Sequence, residues 1–244
     1  MSRPKFFRDP VHVQLRFEDV DLSKPPSKNS AAMISWSARQ IIDCIPFQRL
    51  RFIRQNGLAN LVFHGAEHTR FTHSLGVAHL AQLMYERICR NMDSEEDDEI
   101  KFCTVIAALI HDVGHGPFSH ALEEILSENG VPFHHENMTL KLLLDPESPI
   151  NKFIAGIDKS LPEKIAAYFE QERRKQDHWA YKIVSSQLDA DRLDYLQRDA
   201  LFCGIRGQGF DLERILDLLC HSEEKRIAVE RGAIGLHPVR LTPA

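Results

Sequence analysis

The sequence of 244 residues has no apolar run long enough to cross a membrane. Its longest such run, "VIAALI" at 105–110, is far shorter than the ~20 residues that a spanning helix needs. The first residues, "MSRPKFFRDP", also lack the apolar centre of a secretory signal peptide. These absences argue against a membrane-spanning or secreted protein and predict a soluble, cytoplasmic one.

Cysteine is scarce, and no pair has the C-x-x-C spacing of a thiolate zinc site. We expect five reduced thiols, which are Cys44, Cys89, Cys103, Cys203 and Cys220. Positive charge is in deficit, because 30 Lys and Arg residues face 35 Asp and Glu residues and give a net charge of -5. This balance argues against a broad basic surface for nucleic acid, so any anion must bind in a local pocket.

Strand-like alternation is also rare. The segment "RIAVERGAI" at 226–234 predicts a small hairpin that turns near Gly232. Most other segments have the apolar spacing of amphipathic helices, so we predict a single all-α bundle of about ten helices. The predicted ranges are 34–44, 47–55, 75–90, 100–111, 119–129, 136–145, 162–175, 179–188, 192–202 and 212–221.

One apolar helix ends in a cluster of polar groups. In "AALIHDVGHGPFSH", residues 107–120, these groups are His111, Asp112, His115 and His120. A buried imidazole or carboxylate without a partner loses its hydration and gains nothing, whereas one divalent cation would satisfy both His111 and Asp112. The glycines and proline of "VGHGPFSH" break the helix and favour a tightly turned functional loop.

Two other segments offer further metal ligands on separate helices. One is His73 in "EHTRFTHSLG", and the other is Asp191 in "SSQLDADRLDYLQRDA". Three aspartates interrupt the helical pattern of the second segment, namely Asp189, Asp191 and Asp194. A mixed nitrogen and oxygen set suits iron, manganese, nickel or zinc, and the residues do not select among them. We interpret His68 and His79 as surface or core residues and not as ligands.

The motifs "FTHSLGV", "HDVGHGPFSH", "FHHEN" and "LDADRLDYLQRD", in this order, resemble those of the HD-domain phosphohydrolases. The resemblance is to the branch of deoxynucleoside triphosphate triphosphohydrolases that includes the vertebrate SAM-and-HD-domain enzyme. It extends upstream to "PFQRLRFIRQ" and "RDPVH" and covers most of residues 5–235. It implies an HD-domain helical bundle at 31–222, with an N-terminal arm at 1–30 and the hairpin and a short tail at 223–244.

The resemblance implies a role for several residues of the metal site and its surroundings. The implied ligands of a divalent transition metal are His73, His111, Asp112 and Asp191, with magnesium accompanying the nucleotide. The implied catalytic residues are His115, His120 and His135, because imidazoles that titrate near neutrality can relay protons. An alternative for His135 is a helix N-terminal residue without a role, with the adjacent His134 in its place.

The resemblance also implies substrate contacts. Arg70 and Arg192 match phosphate-binding positions, and Gln55, Tyr195 and Asp199 match positions that recognise the deoxyribose 3′-hydroxyl and the sugar edge. Tyr195 and Asp199 are four residues apart and would share one helix face, and an ordinary helix-surface contact is the alternative.

A regulatory nucleotide site, for GTP or a dNTP, is a further implication. Its residues are Lys5, Asp43, Gln48 and Arg51, and the alternative is that "RLRFIR" is an exposed basic helix face. The resemblance also implies a homo-oligomer.

Three functions follow as hypotheses. The first is a metal-dependent enzyme that converts a dNTP and water to deoxynucleoside and triphosphate, and the second is another HD-type nucleotidase, phosphodiesterase or nuclease. Members of the branch continue into further helices where this sequence has "LHPVRLTPA". The third hypothesis is therefore a non-catalytic nucleotide-binding protein.

Overall fold

The structure is a computed structural model that describes residues 5–18, 20–26, 30–170, 178–205, 210–222, 224 and 226–229, apart from the side chains of Lys5 and Ser30. Across these ranges the chain forms eleven α-helices and two small two-stranded sheets, which confirms the predicted all-α class. Nowhere in this part of the chain is a helix both long and apolar enough to pass through a membrane.

The α-helices are Ser30–Asp43 (α1), Ile45–Gln48 (α2), Arg70–Asn91 (α3), Asp98–Ile110 (α4), His120–Glu128 (α5), His135–Leu144 (α6), Pro149–Ala155 (α7), Leu161–Ala166 (α8), Tyr181–Val184 (α9), Ala190–Phe202 (α10) and Leu212–Leu218 (α11). Two 3-10 turns are Arg49–Phe52 and Ala59–Leu61. The strands are Lys5–Asp9 (β1), Val13–Phe17 (β2), Leu219–His221 (β3) and Ile227–Val229 (β4).

Helix α4 lies at the centre of the core and ends at the polar cluster. Every residue from Lys101 to Ile110 is buried, and the helix packs against α1, α3 and α8. It begins where Asp97 accepts hydrogen bonds from the backbone N–H groups of Glu99 and Ile100, both at 2.9 Å, as an N-cap residue does. The buried helix therefore gives His111, its C-cap residue, a rigid support.

The N-terminal arm contains a hairpin that the sequence did not predict. Strands β1 and β2 pair antiparallel, with Asp9 opposite Val13 and Lys5 opposite Phe17. Both strands have five residues, too few for alternation to be recognisable against the helical pattern that follows. Helix α7 was also missed, and it begins at Pro149, whose fixed φ suits the first helical position.

The helix predicted at 179–188 is only the single turn of α9. Asp189 starts the next helix instead, because its carboxylate accepts hydrogen bonds from the backbone N–H groups of Arg192 at 2.8 Å and Ser186 at 2.7 Å. This cap holds the preceding residues in a non-helical loop. The helix predicted at 162–175 extends only over Leu161–Ala166, and its end from 171 lies outside the described residues.

The strand predicted near the C-terminus is present as Ile227–Val229, and the second strand of the predicted hairpin lies outside the described residues. Strand Ile227–Val229 pairs with Leu219–His221, which we had predicted to be the end of a helix. Helix α11 ends at Leu218, where the chain turns to an extended conformation at Leu219. The predicted turn at Gly232 lies outside the described residues.

Candidate active site

A cavity of about 430 Å³ collects the separate sequence motifs in one place. Its walls come from the start of α3, the loop after α4, the start of α6 and one face of α10. The predicted site residues that line it are Gln55, Arg70, His111, Asp112, His115, His120, His135, Asp191, Tyr195 and Asp199.

The predicted metal ligands form a compact group at this cavity. His73, His111 and Asp112 have ligand atoms within 4.8 Å of one another. Asp191 lies beside them, with Oδ1 3.0 Å from Nε2 of His73 and 3.8 Å from Nε2 of His111. His73 is fully buried, whereas 36% of the Asp191 side chain is exposed. The group is thus closed on the His73 side and accessible on the Asp191 side.

The two histidines place nitrogen atoms without hydrogen-bond partners in this group. Nδ1 of His73 donates to Oδ2 of Asp194, and Nδ1 of His111 donates to the carbonyl oxygen of Ala108, both at 2.7 Å. When each ring is neutral, its Nε2 atom therefore carries a lone pair. Both Nε2 atoms are buried without a hydrogen bond among the described residues, and that of His73 lies 3.0 Å from Oδ1 of Asp191. Two buried lone pairs beside two carboxylates fit a divalent cation, and the Nδ1 bonds fix the tautomer that a ligand needs.

Charge in the group favours a cation as well. Burial tends to raise the pKa of the Asp112 carboxyl, but Arg70, His111 and His115 outweigh it and hold that pKa well below its usual range. Burial tends to lower the pKa of His73, but the carboxylates of Asp191 and Asp194 outweigh it and raise that pKa to about 10. The carboxylates stay ionised and attract positive charge, which a proton or a metal ion supplies.

Arg70 is occupied by a protein partner. Its buried guanidinium is paired with Asp112 and donates to Oγ of Ser119 from Nη2 at 2.8 Å. Phe118 and Ser119 have φ values of 63° and 53°, which are uncommon for residues with a Cβ. This strained turn brings the Ser119 hydroxyl to the guanidinium. Arg70 therefore fixes the Asp112 carboxylate, and it also lines the cavity.

A second group of titratable residues adjoins the first. The rings of His115 and His135 stack, with centroids 3.8 Å apart and 14° between their planes. Nδ1 of His135 donates to Glu123 at 2.7 Å, and Nε2 of His115 lies 3.3 Å from Asp112. Burial lowers the pKa of His115 to about 4 and also lowers the pKa of His135, so both rings are neutral at pH 7.

Stacking argues against a metal in this second group, although its ligand atoms lie within 4.8 Å of one another. Ring lone pairs lie in the ring plane, and two nearly parallel rings cannot direct them to one ion. His120 differs from its neighbours, because 72% of its side chain is exposed. Its ring contacts those of His115 and His135 with centroids 5.2 and 5.4 Å away. His134 caps α6 and does not line the cavity, whereas His135 does.

The sequence analysis missed two residues that hold this loop. Glu123 follows His120 by three residues on α5, so the shared helix face was the signal for it. Arg49 donates to the carbonyl oxygens of His115, at 2.6 Å, and Val113. Arg49 lies in the basic segment "RLRFIR", and no local pattern distinguishes this inward arginine from its exposed neighbours.

The predicted sugar contacts lie together in the same cavity. Asp199 accepts a hydrogen bond from Nδ2 of Asn56 at 2.8 Å and lies 2.9 Å from Nε2 of His68. Oε1 of Gln55 is buried and has no hydrogen-bond partner among the described residues. Tyr195 is one turn from Asp199 on α10. This side of the cavity thus offers several groups that could bind a hydroxyl.

Arg192 lies apart from these residues. Its side chain is 52% exposed, and Nε donates to the carbonyl oxygen of Ser186 at 3.1 Å. Two of the predicted regulatory residues contact each other, because Oε1 of Gln48 accepts a hydrogen bond from Nε of Arg51 at 2.9 Å. Asp43 is exposed, and the side chain of Lys5 lies outside the part of the chain that the structure describes.

The family model that describes the HD domain matches residues 70–199. The chain belongs to the HD domain family. The match extends from Arg70 at the start of α3 to Asp199 on α10, so it contains the four predicted ligands and the predicted catalytic histidines. Asp43, Gln48 and Arg51 precede it.

Relatives and a solved structure agree with this assignment. The chain is 35% identical over 234 residues to the uncharacterized protein YwfO of Bacillus subtilis, covering 95% of this chain and 48% of that protein. It is 37% identical over 185 residues to the SAMHD1 homolog of Dictyostelium discoideum, named a deoxynucleoside triphosphate triphosphohydrolase, covering 72% of this chain and 35% of that protein.

A crystal structure of a phosphohydrolase from Bacteroides thetaiotaomicron superposes with a TM-score of 0.70 at 30% identity, covering 93% of this chain and 49% of that one. The resemblance that the motifs indicated is thus confirmed at the level of the HD domain. The chain spans about half the length of these relatives or less.

Proposed function

We propose that this HD domain protein is a metal-dependent dNTP triphosphohydrolase, which releases deoxynucleoside and triphosphate. The observation that carries the proposal is the pair of buried Nε2 atoms of His73 and His111 without hydrogen-bond partners, beside two carboxylates at a cavity of about 430 Å³. The similarity to the Dictyostelium triphosphohydrolase supports the choice of substrate.

Four residues would hold the metal, and they are His73, His111, Asp112 and Asp191. Manganese, iron, nickel and zinc all accept such a donor set, and magnesium would accompany the nucleotide. A bound ion of this kind polarises a phosphoryl oxygen and lowers the pKa of water. Arg70 would keep the Asp112 carboxylate in place through its buried ion pair.

The proposed reaction transfers the α-phosphorus from O5′ of the nucleoside to a water oxygen. A bond forms between the phosphorus and the water oxygen, which loses a proton, while the bond between the phosphorus and O5′ breaks and O5′ takes a proton. His115 and His135 are neutral in their buried positions, and each can hold a proton at one ring nitrogen. His120 reaches solvent and contacts the rings of His115 and His135, so it can pass a proton between these rings and bulk water.

The residues along one face of helix α10 are consistent with a nucleotide bound in the cavity. Asp191, Tyr195 and Asp199 are spaced by four residues and follow one helix face from the metal ligands to the predicted sugar contacts. The buried Oε1 of Gln55 would accept a hydrogen bond from the sugar 3′-hydroxyl. Arg192 would contact phosphate only after leaving the carbonyl oxygen of Ser186.

Product analysis by chromatography tests this proposal. The protein is incubated with manganese or magnesium and each dNTP, with and without GTP, and its metal content is measured in parallel. We expect deoxynucleoside and triphosphate. Stimulation by GTP would support the regulatory site at Lys5, Asp43, Gln48 and Arg51.

The matched variants are Asp112→Ala and His111→Gln, with exposed His64→Gln as the control. Asp112→Ala leaves the buried Arg70 unpaired and so destabilises the fold, whereas His111→Gln removes a ligand without stranding a charge. We expect both variants to lose turnover and His64→Gln to keep it. Turnover of nucleoside monophosphates or oligonucleotides alone would indicate the nucleotidase or nuclease alternative. Bound metal without turnover of any phosphoester would indicate a nucleotide-binding protein.

A further inference from the structure

A buried chain of charged groups joins the N-terminal hairpin to His73. Asp194 accepts the hydrogen bond from Nδ1 of His73 at 2.7 Å. The guanidinium of Arg198 donates to both oxygens of Asp194, from Nε and Nη2, at 2.8 Å each. Its Nη1 donates to Oδ2 of Asp9 at 2.9 Å. The hairpin is thus connected to a predicted metal ligand through two residues of α10.

His12 makes a second connection from the same hairpin. Its Nε2 donates to Oδ1 of Asp194 at 2.7 Å, so both oxygens of this carboxylate have two donors. Asp194 and Arg198 are fully buried, and the side chains of Asp9 and His12 are only 3% and 4% exposed. Water cannot replace a lost partner at this depth, so each donor restricts the orientation of Asp194.

The local geometry requires these partners to fit closely. Oδ1 of Asp9 accepts hydrogen bonds from the backbone N–H groups of Val11 and His12, each at 2.9 Å, so this carboxylate also shapes the hairpin turn. On α3, a Cβ at Gly76 would lie 1.9 Å from Oδ1 of Asp194. Glycine therefore allows the carboxylate to approach the helix that carries His73.

We infer that Asp9 and His12 are positioning residues that set the affinity of the site for a divalent transition metal. They hold Asp194 against Nδ1 of His73, and this bond keeps Nε2 of His73 directed at Asp112 and Asp191. The inference rests on the metal site of the proposed function. Loss of an outer partner of a metal-binding histidine typically weakens metal affinity by about 10- to 100-fold.

Titration of the metal-free protein with Co²⁺ tests this inference. Calorimetry gives the dissociation constant, and the visible absorption band of Co²⁺ reports the ligand geometry. Because Asp9 and His12 act through Asp194, the direct partner of His73, we expect His12→Leu and Asp9→Asn to raise the dissociation constant by about 10-fold, the lower end of the range for a direct partner, and to change the band. His12→Gln restores a donor and should return the affinity toward that of the parent protein. Gln14→Leu, at an exposed position of the same hairpin, should leave both readouts unchanged.

The outcomes separate this inference from the function on which it rests. Circular dichroism first establishes that each metal-free variant is folded. Should His12→Leu unfold, the Co²⁺ affinity of Asp9→Asn, which keeps the size of the side chain, tests the inference instead. Parent affinity and an unchanged band in the folded hairpin variants would overturn the inference and leave the proposed function standing. A parent protein that binds no Co²⁺, or binds it as well after His111→Gln, would overturn the metal site itself.

Discussion

Glu123 and His135 are joined twice, because Oε1 of Glu123 accepts hydrogen bonds from Nδ1 of His135 at 2.7 Å and from its backbone N–H at 3.0 Å. The carboxylate therefore fixes both the start of α6 and the plane of the imidazole. The His135 ring in turn stacks on His115, which lies 3.3 Å from Asp112. Through these contacts Glu123 orients the ring that we propose transfers protons, without itself reaching the proposed metal ligands.

We predict that Glu123→Ala lowers kcat for dNTP hydrolysis by about 100-fold, because a freely turning His135 loses the geometry that proton transfer requires. Glu123→Gln keeps an acceptor oxygen and should lose less. Steady-state kinetics with metal content measured in parallel checks the prediction, since the four proposed metal ligands are untouched. Glu124→Gln, at the exposed neighbouring position, is the control. A Glu123→Ala protein with the parent kcat would contradict this role.

Several parts of the site could be predicted from local sequence. His111 and Asp112 follow a buried apolar helix, and buried polar groups need a partner wherever the chain goes next. Arg70 was predicted with a phosphate partner, whereas in the structure its guanidinium pairs with Asp112 and donates to Ser119 in the positive-φ turn. That turn is set by tertiary contacts, which no short segment of sequence contains.

The hydrogen-bond network of Asp194 with His73, His12 and Arg198 could not be predicted from the sequence, for a related reason. Asp194 was noted as an interruption of a helical pattern, but its partners His73 and His12 are 121 and 182 residues away in the chain. The helix boundaries failed where one side chain decides them, as the Asp189 cap does before α10. Periodicity predicted the long helices α3, α4 and α10 well, but it missed α7 and predicted longer helices at 47–55 and 179–188 than the structure has. Helix ends were predicted poorly, because a cap depends on a single contact whereas a helix face is a repeated pattern.

Two glycines in the loop after α4 give a matched pair of predictions. A Cβ at Gly114 would lie 2.1 Å from the carbonyl oxygen of His135 and 2.5 Å from the backbone nitrogen of Thr139. A Cβ at Gly116 would instead meet the end of the flexible Leu122 side chain at 2.5 Å. We expect Gly114→Ala to lower the free energy of unfolding by about 3 kcal/mol and Gly116→Ala by about 1 kcal/mol.

Urea denaturation of both variants checks this difference. Gly114→Ala should also reduce turnover, because it displaces the start of α6 where His135 lies. Equal stabilities of the two variants would mean that α6 can move away from the loop at little cost, and the close approach at Gly114 would then have no structural importance.

The partly buried ring of His79 predicts how stability depends on pH. Burial lowers the pKa of His79 to about 4, and the neighbouring His12 acts in the same direction. The unfolded chain has a histidine pKa near ~6.5, so between these two values the unfolded state binds a proton that the folded state does not. The stability associated with neutral His79 is therefore present above about pH 6.5 and is lost as the pH falls toward about 4.

We expect this residue alone to remove about 2 kcal/mol from the free energy of unfolding between pH 7.5 and pH 5.0. Urea denaturation at the two pH values measures the loss, and His79→Gln, which cannot take up the proton, should lose that much less than the parent protein. His64→Gln, at an exposed position, should lose as much as the parent. A His79→Gln protein that loses as much as the parent would mean that folding does not lower the pKa of His79.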